Sequence, residues 1–154
     1  MSNVPALVHL AAGEGKSVPV GKIGLTYKAG SLVDSPYAIS EMSVPAGSNN
    51  PQHRHPWQET MYVLEGEFEM FGEGGERRRA GPGCVMHVPP HAAHGFNNVG
   101  QTTGRLLVVA SPGQEAYFED FSAAIAAAKD DPDAVAKVRA RHGAEAVGPA
   151  AKGR

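Results

Sequence analysis

Short runs of strand-forming residues, each ended by glycine or proline, recur through the middle of this chain between residues 23 and 110. Runs of this length and spacing are typical of antiparallel sandwiches and barrels, because parallel strands need long crossover connections. We therefore expect an all-β fold over residues 23–111, preceded by an N-terminal arm of residues 1–22. The glycine-containing segments 64–67 and 73–75 are expected to form hairpin turns.

The residue pattern changes after residue 112, where helix-forming sequence replaces the strands. Between residues 114 and 129, apolar side chains recur at the spacing of one helix face, with alanines between them. Asp131 and Pro132 predict the start of a second helix, and Gly143 predicts its end. Residues 112–154 are thus expected to form a short helical tail that packs on the barrel.

Composition argues against several classes of partner. The 154 residues include 14 basic and 16 acidic side chains, a formal net charge of -2, so the chain lacks the basic excess that nucleic-acid and anionic-membrane surfaces need. No run approaches the roughly 20 apolar residues of a membrane span, and no signal peptide is evident. A single cysteine indicates a reducing compartment. We expect a cytoplasmic protein with a small-molecule substrate, and neither a nucleic-acid nor a membrane partner.

Three histidines and one glutamate have the spacing of a metal site. His53 and His55 are two residues apart, so on an extended strand both point to the same face. Glu59 follows a bend at Pro56 and can face back toward them, and His94 begins a strand after a proline turn. Imidazole and carboxylate donors suit a divalent transition metal ion, which the sequence leaves open among Fe, Mn, Ni, Cu and Zn.

The same residues resemble the two motifs of the cupin family. Every fixed position of the first motif is present, and the second lacks one glycine, whose place is taken by His91. The matching residues are Gly47, His53, His55, Glu59 and Gly66 in the first motif and Gly83, Pro89, His94 and Asn98 in the second. We expect the turn at His91 to differ in shape from the usual one, and His91 to lie at the mouth of a cavity.

The resemblance implies a cupin jelly-roll β-barrel over residues 23–110, with a metal ion near the middle of its cavity. In the family, the residues that match His53, His55, Glu59 and His94 bind the metal. The helical tail is similar to that of small bacterial cupins that are compared with quercetinases. In quercetinase-like cupins the matching carboxylate also serves as a base, which makes Glu59 the candidate catalytic residue.

Alternation along the strands selects the side chains that we expect to line the cavity. Glu59 shares one face of its strand with the residues two and four positions later, and a later strand turns Cys84 and Met86 inward and His87 outward. Cys84 is accordingly expected to be buried. The side chains predicted to contact a substrate are Met61, Val63, Met86, Phe96 and His91.

The predicted function is that of a metal-dependent enzyme acting on a small aromatic or enolisable oxygenated substrate. Dioxygenation of the quercetinase kind is the first hypothesis. The apolar side chains expected in the cavity favour an aromatic substrate over a sugar phosphate. No lysine or arginine is predicted on a strand beside the ligands, which weighs against sugar epimerases and phosphosugar isomerases. A redox-neutral, zinc-dependent polyketide cyclase or isomerase is the alternative, and a non-enzymatic ligand-binding module is the other. We also expect a homodimer, formed through the outward side chains Tyr62, Leu64 and Val85.

Overall fold

The structure is a computed structural model that describes residues 6–148. The ends of the predicted arm and tail, residues 1–5 and 149–154, lie outside the described residues. The strands are, in chain order, β1 (Lys16–Val20), β2 (Ile23–Ala29), β3 (Ala38–Val44), β4 (Asn49–Arg54), β5 (Glu59–Glu65), β6 (Phe68–Gly72), β7 (Arg77–Ala80), β8 (Val85–Val88), β9 (His94–Asn98), β10 (Gly104–Ala110) and β11 (Glu145–Ala146).

Two antiparallel sheets form the body of the molecule. One has the strand order β1-β2-β3-β10-β5-β8, and the other has the order β11-β4-β9-β6-β7. The predicted all-β jelly-roll fold is therefore confirmed. Strand β1 lies within the segment assigned to the N-terminal arm, yet it pairs with β2 along its whole length and extends the first sheet by one strand.

The two predicted hairpins have different outcomes. Segment 73–75 joins β6 to β7, which pair with each other, so this hairpin is confirmed. Segment 64–67 joins β5 to β6, which lie in different sheets, so that prediction was wrong. A turn signal marks a change of chain direction but does not specify whether the next strand returns beside the first or crosses to the other sheet.

A hydrophobic core fills the space between the two sheets and supports the strands that carry the predicted ligands. Phe68 and Phe96 meet in its centre, with ring centroids 5.8 Å apart in an edge-to-face contact, and both are fully buried. Burying a side chain of this size stabilises the fold by about 1.5–3 kcal/mol. On the outer face, Tyr62 and Val85 are exposed, and the homodimer stays a prediction.

Two helices follow the last long strand, as predicted: α1 (Gln114–Ala127) and α2 (Ala134–His142), which begins after Asp133 and not after Asp131. Gly143 ends α2 in a left-handed conformation with φ 69°, which confirms the predicted stop. The helices form a second, smaller core against the barrel. Its buried members are Trp57, Tyr117, Ala124, Val138 and Ala144.

Gly66 lies where the chain crosses from β5 in one sheet to β6 in the other, and its surroundings lead to a prediction. Its φ is 92°, and a Cβ there would lie 2.8 Å from the Cα of Gly104, whereas Gly74 has a similar φ of 81° with open space around it. Both alanine variants suffer backbone strain of about 1–3 kcal/mol, but only Gly66→Ala adds a clash with backbone. Denaturant unfolding should show a clearly larger loss of stability for Gly66→Ala than for the matched Gly74→Ala. Equal losses would contradict the crowding at the crossing.

Candidate metal centre

The structure brings the four predicted ligands together. Their donor atoms all lie within 4.8 Å of one another. His53 and His94 are opposite each other in the β4–β9 pair, with ring centroids 4.3 Å apart, while Glu59 opens β5. His55 lies just beyond β4 and is buried, as are Glu59 and His94.

A β-bulge turns His53 toward the centre. Asn50 is opposite Phe96 and His53 is opposite His94, so two residues of β4 face Gly95 alone. An odd spacing from Asn50 to His53 would put the two side chains on opposite faces of a regular strand. The extra residue restores His53 to the inner face. Gly95 permits this approach, because a Cβ there would lie 2.6 Å from the Asn50 carbonyl oxygen.

Local hydrogen bonds orient all three imidazoles in the same way. In each ring, Nδ1 lies at hydrogen-bond distance from a main-chain carbonyl oxygen two residues away. Because a carbonyl only accepts, Nδ1 carries the hydrogen and the Nε2 lone pair is free. The acceptors are Pro51 for His53 (2.8 Å), Trp57 for His55 (2.8 Å) and Ala92 for His94 (2.9 Å).

The carboxylate of Glu59 meets two of these lone pairs. Its Oε1 lies 3.0 Å from Nε2 of His94 and 3.4 Å from Nε2 of His55. The Nε2 of His55 is buried and has no hydrogen-bond partner among the described residues. Buried acceptor atoms that converge without donors are costly unless a cation lies among them. The donor set therefore fits a first-row divalent ion.

Burial and neighbouring groups set the protonation of the site. Burial alone would raise the pKa of Glu59, but protonated imidazoles of His55 and His94, which would donate to it from Nε2, outweigh burial and lower the pKa of this carboxyl. Burial, followed by the nearby His94, lowers the pKa of His53 to about 4. At neutral pH these two groups are thus a carboxylate and a neutral imidazole, which are the forms that bind metal.

The predicted substrate side chains are not gathered at one cavity. Met61, Val63 and Phe96 are fully buried in the hydrophobic core, whereas Met86 is half-buried and lines a cavity. His91 is exposed. Its φ of 65° is left-handed, as glycine would readily adopt, and its N–H donates to the carbonyl of His55 at 2.7 Å. Their contact with a substrate stays a prediction.

The prediction that Cys84 is buried was wrong, because Cys84 is exposed. It belongs to a turn, in which its N–H donates to the carbonyl of Gly81 at 3.0 Å. Strand β8 begins only at Val85, so the alternation of β8 does not extend back to Cys84. His87 is exposed, as expected, and its Nδ1 lies 2.8 Å from the hydroxyl of Thr60.

Two cavities reach the ligands from opposite edges of the barrel. The helix-side cavity, of about 280 Å³, lies between β4, the inner face of β2 and the helices, and its wall includes His53. The edge cavity, of about 440 Å³, lies between β7 and β8, and its wall includes His94. Arg78 and Arg79 of β7 line the edge cavity. Both arginines are exposed, and β6 separates their strand from the ligand strand β9, so the absence of an arginine beside the ligands stays a prediction.

Two contacts of the centre were missed by sequence reasoning. The indole of Trp57 stacks on the His55 ring, with centroids 4.2 Å apart and planes 8° from parallel. The amide of Gln114 reaches Glu59 from α1, with Nε2 donating to Oε2 at 3.0 Å. The position of Trp57 between two motif residues predicts packing at the rim of the cavity but not its stack on His55, and no local pattern marks Gln114.

Comparison with known proteins identifies the family. Residues 40–110 match the family model for the cupin domain. Solved cupin structures also superimpose on the chain. One of them, an RmlC-like cupin from Shewanella frigidimarina, is 23% identical and has a TM-score of 0.61 over 72% of this chain and 96% of that one. Residues 40–110 thus form a cupin domain, as the two motifs predicted.

Several relatives carry functional names. The polyketide cyclase RemF from Streptomyces resistomycificus is 25% identical, with a TM-score of 0.61 over 69% of this chain and 80% of the cyclase. KdgF from a Halomonas species is 25% identical, with a TM-score of 0.59 over 66% and 92%. The dimethylsulfoniopropionate lyase DddQ from Ruegeria pomeroyi is 34% identical over 73 residues, which are 46% of this chain and 36% of the lyase. The chain thus matches about a third of that relative's length.

None of the helices within residues 6–148 is long and apolar enough to cross a membrane. The cytoplasmic location stays a prediction.

The stacking of Trp57 on His55 provides a test of metal binding. Trp57 is the one tryptophan of the chain, so its fluorescence should fall when Co²⁺ or Cu²⁺ binds to the adjacent imidazole, and the fall should saturate at one ion per chain. The exposed imidazole of His87 is the matched control, and His87→Ala should keep the full response. Unchanged quenching in His53→Ala/His94→Ala would contradict binding at this site.

The lowered pKa of His53 predicts how the metal-free protein responds to acid. Its folded-state pKa of about 4 lies below the ordinary histidine value of 6.5, so between these pH values the unfolded chain binds more protons. Stability therefore falls as the pH decreases through that window. From pH 7 to 5, urea unfolding should show a loss smaller by about 1 kcal/mol in His53→Gln than in wild type. The exposed His9 is the control, and an equal effect of His9→Gln would refute this assignment.

Proposed function

We propose that this chain is a metal-dependent enzyme that acts on a small aromatic or enolisable oxygenated substrate, with dioxygenation as its reaction. The observation that carries the proposal is the convergence of three imidazole lone pairs and one carboxylate in the interior of the barrel. Four protein ligands leave one or two positions open on a five- or six-coordinate ion. When bound, such an ion supplies Lewis acidity and, for Fe, Mn, Ni or Cu, electron transfer to dioxygen.

The helix-side cavity is the proposed substrate site. The aromatic side chains of Tyr117, Phe118 and Phe121 line it, and the ligand His53 lies in its wall. Its apolar walls favour a planar, mostly apolar molecule. The guanidinium of Arg139 also lines the cavity and lies 5.4 Å from the centroid of the Phe121 ring. It is placed to donate hydrogen bonds to a negatively charged oxygen of that molecule.

Glu59 is the proposed base. Its carboxylate is buried and has a lowered pKa, so it is ionised when a substrate arrives. A hydroxyl group that enters the centre would transfer its proton to the Glu59 carboxylate, which faces His55 and His94. The substrate thereby becomes an anion in a site from which water is largely excluded, where electrostatic interactions are strong.

The redox-neutral cyclase is the second candidate function. The similarity to the polyketide cyclase RemF favours it, since the match spans 80% of the length of that cyclase. A cyclase needs the same Lewis acid and base but no dioxygen, so Zn²⁺ would suffice.

Metal analysis combined with oxygen uptake tests the proposal. Protein purified without an affinity tag should contain close to one Fe, Mn, Ni or Cu per chain by mass spectrometry, and His53→Ala/His55→Ala should contain none. The wild type should consume dioxygen with flavonols or catechols. Phe121→Trp, which fills the helix-side cavity, should reduce turnover strongly, and Met86→Trp, which fills the edge cavity, should have little effect.

Other outcomes assign the other functions. Stoichiometric zinc and conversion of a polyketide without oxygen uptake would replace the dioxygenase by the cyclase. Ligand binding without turnover would leave a binding module. A larger effect of Met86→Trp than of Phe121→Trp would move the substrate to the edge cavity.

A further inference from the structure

We infer that Gln114 is a positioning residue, which holds the Glu59 carboxylate in a single orientation and so makes the helical tail part of the metal centre. The inference rests on the metal site of the proposed function. It concerns the geometry of one ligand and is independent of the substrate and of the reaction.

Three buried polar groups form a continuous chain to the centre. The hydroxyl of Tyr27, on β2, donates to Gln114 Oε1 at 2.9 Å, and Gln114 Nε2 donates to Glu59 Oε2 at 3.0 Å. Tyr27 and Gln114 are both 0% exposed, and Glu59 is 6% exposed. Bonds in such a buried place are strong, and each one left unmade is costly.

The chemistry of these groups determines the direction of every bond. An ionised carboxylate only accepts, so the NH₂ end of the Gln114 amide must face Glu59. The carbonyl end then faces Tyr27, whose hydroxyl must donate. The carboxylate thus prevents the amide from turning over, since the reversed amide would place its oxygen against Glu59, and the Tyr27 hydroxyl stabilises the observed orientation by donating to the carbonyl end.

The two oxygens of Glu59 consequently have separate roles. Oε2 is occupied by Gln114, whereas Oε1 is the oxygen near His55 and His94. A carboxylate without such a partner rotates readily, because terminal torsions of this kind have broad minima. Gln114 therefore presents one defined oxygen to the metal.

The residue that follows Gln114 anchors the helix. The carboxylate of Glu115 accepts hydrogen bonds from the Ser31 N–H (2.9 Å) and the Ser31 hydroxyl (2.7 Å), and it forms an ion pair with Lys16. Gly30 makes room for it, because a Cβ there would lie 2.2 Å from Glu115 Oε2. This anchor, attached to the β1–β2 edge of the first sheet, places the start of α1 and hence Gln114 inside the barrel.

A purely structural role is the alternative, in which the amide only fills the core. Such a role would affect folding stability but leave the metal site unchanged. Asn98 offers the matched control, since its buried amide donates to the carbonyls of Val44 and Thr102, each at 2.9 Å, without contacting a ligand.

Cobalt binding separates the two roles. Co²⁺ affinity and the visible d–d spectrum should be measured for folded wild type, Gln114→Met, Tyr27→Phe and Asn98→Ala. Loss of a partner that orients a ligand typically weakens metal binding 10–100-fold, so we expect about that loss and a shifted spectrum for Gln114→Met. Tyr27→Phe, which keeps the ring, should change both in the same direction but less, and Asn98→Ala should keep the wild-type spectrum and affinity.

Three outcomes would overturn the inference. A wild-type spectrum and affinity in Gln114→Met, or an equal change in Asn98→Ala, would assign Gln114 a structural role only. An absence of cobalt binding by the wild type would remove the metal site and the inference together. The cobalt measurements use no substrate, so they are independent of turnover. If the wild type shows no turnover and Gln114→Met still alters the cobalt site, the proposed reaction is refuted and the inference is upheld.

Discussion

One extra residue in β4, opposite Gly95, determines whether His53 joins the other three candidate ligands. Without this bulge, the side-chain alternation would carry His53 from the inner face to the other side of the sheet. Pro51 lies within the bulge, where the loss of a main-chain donor is tolerated, and its carbonyl orients the His53 ring. The same irregularity thus selects the face of the ligand and the nitrogen that it offers.

Burial converts this geometry into chemistry. A carboxylate and three imidazoles in contact with water would exchange partners freely, but in the interior each needs a defined one. Main-chain carbonyls satisfy the Nδ1 atoms, and Gln114 satisfies one oxygen of Glu59. What remains is a set of acceptor atoms that face each other, and a cation satisfies all of them. Trp57 stacks on His55 and packs at a tilt against Tyr117 of α1, which covers this side of the centre.

Prediction from sequence succeeded where the deciding contacts are local. The ligand set followed from spacings of two and four residues and from one proline turn, and the end of α2 followed from Gly143. It failed at Cys84, where a turn interrupts the strand, and at segment 64–67, where the chain crosses between sheets instead of returning. The burial of Met61, Val63 and Phe96 followed from alternation, but alternation does not distinguish a packed core from the wall of an open cavity.

The amino-acid sequence by itself determined the strand periodicity, the four ligand types and their order, and the helical tail, because each depends on backbone geometry over a few residues. Only the tertiary structure decided which cavities reach the ligands, that Arg78 and Arg79 of β7 line one of these cavities, and that Tyr27 is linked to Glu59 through Gln114. Gln114 lies 87 residues from Tyr27 and 55 from Glu59. Contacts over such distances depend on how sheets and helices pack, and no local pattern of residues encodes them.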